Sequence, residues 1–566
     1  MNKSTIQTLI DKVIGKKGLI RVPSWWMRKV LMQMADWVQE GDDANGEKIV
    51  KVKEEADAKI GKVKEEADAK IGKVKEEADA KIITLDNSTK TALIELKKSL
   101  HTQRCVMVKT GTSAGYVVVD GVTQEVPANT QKIVTYVDTF GFYNKSTTNS
   151  QLIFIGLTVA DASSITDMSR MFYSCQSLTS LDLTGLDTSA VTNMASMFHS
   201  CSGLTSLGLT GLDTSSVTSM SNMFSNCTRL TSLDLSSFDT SAVTNMASMF
   251  YHCMGLTSLD LMGFNTSSVT DMASMFSGCT RLTSLDLSSF NTSSVTNMMS
   301  MFSDCYHLAS LNLTGLDTSA VTSMASMFKR CEELTSLDLS GLDTTSVENM
   351  ASMFSDCYLL TSLNLSGFST SAVTDMRSMF YRCNRLTSLD LSSFNTSAVT
   401  SMASMFYDCG LLASIDLSSF NTSSVTDMSK MFDGCQSLTS LDLSSFDTSA
   451  VRSMWRMFSC TRLTSLDLSS FDTSAVESME EMFYCPSLTS LILGPNFFKT
   501  SKVTSVDFSY SIKWTGDTVV TSLVTNSYDR ATAGLKTMTL QLSANTKAAL
   551  TDEQKAAITA KGYTIA

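Results

Sequence analysis

The chain has 566 residues and a formal net charge of −12 at pH 7, so it is too long for one compact core and lacks the clustered basic face of a nucleic-acid-binding protein. It begins without the apolar segment of a secretory signal, and no run of 18 uncharged apolar residues could span a membrane. We therefore expect several domains or a repeat array, with no nucleic-acid partner and no membrane insertion. We expect the chain to remain in the cytosol unless another route exports it.

Residues 1–48 are predicted to form a small helical head. Ser24 is a suitable N-cap for the segment that follows, in which apolar residues recur at helical spacing. Three tryptophans in so short a segment need a surface to cover them, and we take Trp25, Trp26 and Trp37 as attachment residues. Two interpretations stay open: the head packs on itself within an oligomer, or it docks onto a larger assembly.

Residues 49–104 are predicted to form a coiled-coil stalk. Three copies of an 11-residue sequence, Lys-Val-Lys-Glu-Glu-Ala-Asp-Ala-Lys-Ile-Gly, begin at Lys51, Lys62 and Lys73, and the third ends in Ile83 instead of Gly. An 11-residue apolar period predicts a straight or slightly right-handed coiled coil. Its narrow apolar stripe has little to bury in one chain, so we expect a homo-oligomer, with three chains favoured. At about 1.5 Å per residue the stalk would be about 75 Å long.

Residues 105–160 are predicted to form a small β module that caps the array following it. Alternating apolar segments read as strands, with Gly and Asn/Asp turns between them. The predicted strands are 105–109, 116–120, 131–136 and 152–156.

Residues 161–495 contain thirteen copies of one unit. A Met-Phe pair recurs every 26 residues from Met171 to Met457, and the last pair, at Met482, follows after 25. A fixed period in this range is typical of a solenoid, in which each unit buries its apolar face against its neighbours. Thirteen strands at about 4.8 Å would make an array about 60 Å long.

Each unit is predicted to contain a strand, a turn and a short helix, which gives an α/β solenoid of the leucine-rich-repeat type. The strand signal is Leu178, Leu181 and Leu183, and the turn signal is Asp187-Thr188-Ser189. The helix signal is the i, i+3, i+4, i+7 spacing of Met194, Met197, Phe198 and Cys201, with Thr192 as the cap.

Two columns of residues raise the question of metal binding. Thirteen of the fourteen cysteines share one position of the repeat, from Cys175 to Cys485. We expect a buried line of reduced thiols, since parallel Cβ vectors do not suit a disulfide and no His joins them to complete a zinc site. The Asp/Asn column that begins at Asp187 and Asp213 could be a calcium ladder, but each site offers one carboxylate and Ser369 interrupts it, so turn formation explains it better. No metal is expected.

Residues 496–566 are predicted to close the array. Gly494-Pro495 marks the break, Thr537–Leu542 reads as a strand, and Thr551 with Gln554 forms a capping box for a helix that runs to about residue 560 and stops at Gly562.

The unit as it stands at Leu230–Phe250 resembles the BspA-like leucine-rich repeats of bacterial surface proteins and of some mycoplasma and protist proteins. The tail from Leu550 to Ala566 is similar to the end cap of such proteins from gut anaerobes and their phages. The resemblance implies adhesion or recognition without catalysis. We expect this chain to differ in lacking an export signal, and it adds a Trp-rich head and a stalk, an architecture that resembles a tail fibre or receptor-binding protein of a tailed phage.

The candidate binding residues flank the cysteine of each unit, where the sequence varies most and where Tyr, Arg and His are frequent. These side chains suit stacking and hydrogen bonding to a sugar or a protein epitope, although an exposed turn that is free to vary would also explain them. The candidates are Tyr173, His199, Tyr251, His252, Tyr306, His307, Arg330, Tyr358, Tyr381, Arg382, Arg385 and Tyr407.

No phosphate-binding loop, zinc-helix motif or nucleophile elbow is present, so we expect neither an enzyme nor a cofactor.

Three hypotheses about function remain. The first is a phage tail-fibre protein that is assembled in the host cytoplasm, joins the tail or baseplate through its head and binds a host cell-surface glycan or protein through its solenoid. The second is a bacterial cell-surface adhesin, and the third is an intracellular interaction scaffold.

Overall fold

The computed structural model describes six strands, at residues 104–110, 115–119, 122–126, 131–136, 140–143 and 152–156, and then residues 166–566 with gaps at 177, 184–187, 461, 511–513, 515–516 and 518–524. The chain divides into two units, Met1–Ser99 and Leu100–Ala566, and all described residues belong to the second. The predicted head, with Trp25, Trp26 and Trp37, and nearly all of the predicted stalk lie outside the described residues. Both stay predictions.

The six strands of the β module form two antiparallel sheets of three strands each. One sheet has the order β4-β1-β6 and the other β3-β2-β5. The four strands predicted in this region are confirmed, and two more, β3 and β5, accompany them. The bounds are β1 (Arg104–Thr110), β2 (Gly115–Val119), β3 (Val122–Val126), β4 (Gln131–Tyr136), β5 (Phe140–Tyr143) and β6 (Leu152–Gly156).

The repeats form a β-solenoid of about 14 turns. The strands of the repeats pair in parallel, two by two, between neighbouring units, so that equivalent residues face each other, as Ser180 faces Ser206 and Leu181 faces Leu207. The strand predicted from the leucines is present in eight of the thirteen units, and Leu178, Leu181 and Leu183 are buried as predicted. The strand bounds are β7 (Ser180–Asp182), β8 (Ser206–Gly208), β9 (Ser284–Asp286), β10 (Ser310–Asn312), β11 (Ser336–Asp338), β12 (Ser362–Asn364), β13 (Phe432–Asp433), β14 (Phe458–Ser459), β15 (Ser465–Leu468) and β16 (Ser490–Leu493).

The helix predicted in each unit is wrong. Ser196 and Ser200 have φ of 58° and 60°, and the equivalent residues of most other units are also left-handed, so the segment is a series of tight turns. Its amides bond in alternation: Met194 N and Ser196 N donate to carbonyls of the next unit, whereas Met197 N donates to the carbonyl three residues back. The turns still bury Met194, Met197, Phe198 and Cys201, the four residues whose spacing suggested the helix.

Thr192 is not a helix cap. Its backbone N–H and its hydroxyl both donate to the carbonyl of Thr166 in the preceding unit, at 2.8 and 3.1 Å. The same threonine-to-threonine contact recurs along the array, for example from Thr218 to Thr192 and from Thr244 to Thr218. These exposed hydroxyls therefore connect units.

The core is built from columns of identical residues. Phenylalanine rings stack unit on unit from Phe172 to Phe483, with centroids 5.4 to 6.1 Å apart. Beside them lies a column of buried threonines. Thr240, for example, donates through Oγ1 to the carbonyl of Asn265 at 2.9 Å and accepts from the N–H of Asn265 at 2.8 Å. Each such hydroxyl therefore satisfies the N–H and the C=O of one residue in the next unit.

The C-terminal region closes the array with a three-stranded parallel sheet of order β17-β18-β19 and two helices. The predicted strand is confirmed as β18, and the predicted helix, capping box and glycine stop are confirmed as α2 with Thr551, Gln554 and Gly562. The buried Arg530 donates to the carbonyls of Phe498, Thr500 and Lys536. The bounds are β17 (Ser505–Phe508), β18 (Met538–Leu542), α1 (Ala544–Ala549), α2 (Asp552–Ala560) and β19 (Tyr563–Ile565). No helix in the described part of the chain is both long and apolar enough to cross a bilayer.

Candidate functional site

The cysteine column is the buried line of thiols that the sequence predicts. Cys201 to Cys485 are buried and unpaired by disulfides, and each thiol donates to a phenylalanine carbonyl of a preceding unit, as Cys305 Sγ does to Phe276 O at 3.1 Å. Burial raises the pKa of Cys279 and Cys357 to about 12. Among the described residues, no group of three or more His, Cys, Asp or Glu side chains is arranged to hold a metal ion. These thiols are protonated core residues.

The Asp/Asn column forms turns, as predicted. Asp239 Oδ1 accepts from the N–H of Ser241 at 2.9 Å, and Asn265 and Asp317 accept in the same way from the residue two positions later. Hydrogen bonds from Ser241 lower the pKa of Asp239, so its carboxylate is ionised at neutral pH. Asp187, where the column begins, lies outside the described residues.

The candidate residues lie on one edge of the solenoid, which we call the variable edge: the two residues before and the two residues after each cysteine of the column. The residue just before the cysteine is left-handed in most units, with φ of 54° at His252, 58° at Arg330 and 57° at Arg382. Because Asn, Asp, Gly and His tolerate this conformation best, part of the composition of the edge reflects backbone geometry.

At the N-terminal end of the variable edge, the aromatic candidates contact one another. The rings of Tyr173 and His199 stack across neighbouring units with centroids 4.8 Å apart, and those of Tyr251 and His252 stack at 4.1 Å. Burial, and then the charge of Arg170, lowers the pKa of His199, so this imidazole is neutral at neutral pH.

In the middle of the edge, charged candidates form ion pairs between units. Arg330 Nη1 lies 2.9 Å from Asp304 Oδ1, and the guanidinium of Arg330 stacks 4.7 Å from the ring of Tyr306. His307 Nδ1 lies 2.8 Å from Glu333 Oε1, with both side chains exposed. The partners belong to adjacent units and lie 26 residues apart.

The same ion-pair arrangement recurs 52 residues later. Arg382 Nη1 lies 3.3 Å from Asp356 Oδ1 and its guanidinium lies 5.0 Å from the ring of Tyr358, whose hydroxyl donates to Asp356 at 2.9 Å. Burial raises the pKa of Tyr358, so the hydroxyl keeps its proton and remains a donor. Arg382 Nε also lies 3.7 Å from Asp408 Oδ2.

Toward the C-terminus the variable edge continues into an aromatic strip. Tyr381 and Tyr407 stack at 4.6 Å, and the ammonium of Lys430 lies 5.5 Å from the Tyr407 ring and 4.4 Å from the Trp455 ring. Sequence reasoning missed Lys430 and Trp455, since they precede their cysteines by five residues and replace the small residues of other units.

Eleven of the twelve candidates therefore contact another side chain, and Arg385 differs from them. It is exposed and makes no hydrogen bond, ion pair or ring contact with a described residue. Three further arginines that sequence reasoning missed are exposed and unpaired in the same way: Arg229, Arg281 and Arg462. Each of them is also the second residue after a cysteine. The signal was available: Cys-Thr-Arg-Leu recurs at 227–230, 279–282 and 460–463.

Comparisons with known proteins identify the repeats. The family model described as "Mycoplasma protein of unknown function, DUF285" matches residues 140–256, 231–335, 308–414 and 411–512. Comparison with curated proteins finds no significant match. A crystal structure of a TLR13–ssRNA13 complex is similar at 14% identity, over 66% of this chain and 79% of that chain, with a TM-score of 0.15. A TM-score this low carries no structural or functional argument.

Proposed function

We propose that this chain, which belongs to the DUF285 family of Mycoplasma proteins of unknown function, is a recognition protein that binds a glycan or protein on a bacterial surface through its variable edge. One observation carries the proposal. The buried Phe, Thr and Cys columns repeat with little change, whereas Tyr, Arg, His and exposed apolar residues vary along one edge of the same scaffold. A rigid surface that bears such side chains is suited to binding.

The more specific proposal is that the chain is the tail fibre or receptor-binding protein of a tailed phage. Its support is the order of segments in the sequence: a Trp-rich head, 11-residue repeats typical of a coiled coil, and then a solenoid. In this proposal the stalk joins three chains, the head attaches to a tail or baseplate protein, and the solenoid contacts the host. The protein would then be made in the host cytoplasm and end in the virion.

A second candidate function is a bacterial cell-surface adhesin. The resemblance of the 26-residue unit to BspA-like repeats of bacterial surface proteins favours it. Both candidate functions use the variable edge for binding. They differ in whether the protein belongs to a phage particle or to the bacterial cell surface.

Immunogold electron microscopy with an antibody to the repeats separates the candidates, applied to a culture that contains both intact cells and released particles. Gold at the tips of phage tails is the expected result. Gold on intact cells with unlabelled particles would contradict the phage proposal and support the adhesin. Gold confined to the interior of sectioned cells would contradict both and indicate an intracellular scaffold.

A further inference from the structure

The positive charges of the solenoid are confined to one side of each unit. Every Lys and Arg between residues 166 and 493 lies from eight residues before to two residues after a cysteine of the column. Other aspartates recur away from this side, as Asp286, Asp416 and Asp239 do, whereas Asp304, Asp356 and Asp408 lie on the variable edge beside its arginines. A chain with a net charge of −12 therefore presents its repeat cations along one side.

Five of these twelve cations, Arg456 among them, are already neutralised by ion pairs. Arg330 and Arg382 pair with aspartates on the variable edge, Arg377 pairs with Asp375, and Arg452 with Glu477. Such pairs reduce the charge that is available to a ligand.

Five arginines form no ion pair: Arg170 lies over the Tyr173 ring, and the other four make no ring contact with the described residues. Arg229, Arg281, Arg385 and Arg462, which we call the arginine row, are exposed and have no ion-pair or hydrogen-bond partner among the described residues. All four are the second residue after a cysteine, so solenoid stacking places them in one line. The same line also holds the His307–Glu333 pair, and Leu359 and Leu411, 39% and 47% exposed, lie in it on either side of Arg385.

The spacing of the arginine row indicates the shape of its ligand. The arginines are separated by two, four and three units, which at about 4.8 Å per unit corresponds to about 10, 19 and 14 Å and a total of about 43 Å. One compact anion could contact only one of them. Duplex DNA, with one charge per about 1.7 Å, would bring far more negative charge than the row can neutralise against a chain whose net charge is −12. The row therefore matches a linear polymer of lower charge density that is at least about 43 Å long.

We propose that the arginine row binds a linear acidic polysaccharide of the bacterial envelope, with the guanidinium groups on its carboxylate or phosphate groups and Leu359 and Leu411 against its apolar sugar faces. This inference depends on the proposed recognition function and names its ligand class. Guanidinium forks suit both kinds of acid, and several weak contacts on one chain combine into useful avidity.

The test measures binding of the full-length chain to immobilised polygalacturonate and to a poly(glycerol phosphate), with neutral dextran as the blank and labelled single-stranded RNA as a competitor. One variant replaces all four residues of the arginine row by Gln. A control variant replaces four paired cations by Gln, namely Arg377, Arg452, Lys502 and Lys555, so that both variants have the same net charge. Thermal unfolding checks that both remain folded.

We expect the variant of the arginine row to lose about tenfold to a hundredfold in affinity for at least one acidic polymer, since four exposed charge contacts contribute a small factor each. The control should change by less than about threefold, and binding should weaken as salt rises. Comparing the affinities for polygalacturonate and for poly(glycerol phosphate) shows whether the row prefers carboxylate or phosphate groups. Equal losses in both variants, or preferential binding of RNA, would overturn the inference. If the intact chain labels bacterial cells but binds neither polymer, the inference fails while the proposed function stands, whereas failure to label any cells removes both.

Discussion

The buried columns and the variable edge are built from the same 26-residue unit, but they connect neighbouring units by opposite means. In the core, like packs on like: Phe302 stacks on Phe276 and Phe328 at 5.9 and 5.6 Å. On the edge, the charged residues pair with residues of opposite charge, and the residue before the cysteine alternates in sign through Asp304, Arg330, Asp356, Arg382 and Asp408. Apolar rings can stack on copies of themselves, whereas equal charges in adjacent units would repel.

This difference shows which residues of the edge are free to respond to a ligand. A paired residue is constrained by its neighbour in the next unit, so a change at Asp356 affects Arg382 as well. An unpaired residue such as Arg385 or Leu411 has no such constraint. Sequence variation on a solenoid edge therefore contains two signals, one for stacking between units and one for recognition.

The largest effect that we expect concerns the buried thiols at alkaline pH. Cys279, Cys357 and Cys409 have pKa values raised by burial to about 12, whereas thiols in the unfolded chain titrate near 8.5. Above that pH the unfolded chain binds fewer protons than the folded chain, so the free energy of unfolding falls as pH rises, by up to about 1.4 kcal/mol per thiol per pH unit. Urea midpoints measured from pH 7 to 10.5 should decline steeply. A flat profile would contradict protonated, buried thiols.

The Phe302→Ala substitution should cost about 3–5 kcal/mol of stability, since it opens a cavity in the ring stack. The control is Tyr306→Ala, which removes a ring of similar size from the variable edge of the same unit and should cost clearly less. Urea unfolding followed by circular dichroism measures both. Equal losses would indicate that the edge packs like the core.

The Thr396→Val substitution tests the buried hydroxyl column. The buried Thr396 donates through Oγ1 to Asn421 O and accepts from Asn421 N, each at 2.8 Å, so valine removes the partner of both backbone groups. We expect a loss of about 1–3 kcal/mol. Thr400→Val is the matched control, because Thr400 is exposed and water can replace its bond to Thr374. A loss at Thr400 as large as that at Thr396 would contradict the distinction.

The smallest effect is expected for an ion pair on the edge. A double-mutant cycle with Asp304→Asn and Arg330→Gln should give a coupling of about 0.2–1 kcal/mol, because the pair is partly exposed. Thermal unfolding of the four proteins at low and high salt measures it, and salt should weaken it. Zero coupling at low salt would show that the alternation of charge does not stabilise the array.

The sequence predicts the columns of the solenoid well and the backbone between them poorly. The spacing of Met194, Met197, Phe198 and Cys201 identified four buried residues, but consecutive tight turns bury the same positions as two helical turns. What excludes a helix is the left-handed backbone conformation of Ser196 and Ser200, which the structure shows. Periodic burial alone does not separate the two structures.

The twelve candidate residues share one edge of the solenoid, as their common position in the repeat predicts, but the contacts between them were not predicted. The pairs Tyr173–His199, Asp304–Arg330 and Tyr381–Tyr407 are all 26 residues apart, so the repeat period itself held the information. Comparing each edge residue with its equivalent in the next unit would have found them, and would have left Arg385 as unpaired. The aromatic contacts of Lys430 depend on side-chain direction, which the period does not specify.

The most direct test of the central claim, that the variable edge is the surface that meets the receptor, is covalent footprinting of the full-length chain with and without envelopes from a bacterium that it labels. Phenylglyoxal modifies exposed arginines and a carbodiimide modifies exposed carboxylates, so one mass-spectrometry experiment reports on the edge and on the acidic strand face. Our account predicts protection at Arg229, Arg281 and Arg385, with Asp286 and Asp416 still labelled. Protection of the aspartates with the arginines still reactive would contradict it and place recognition on the strand face.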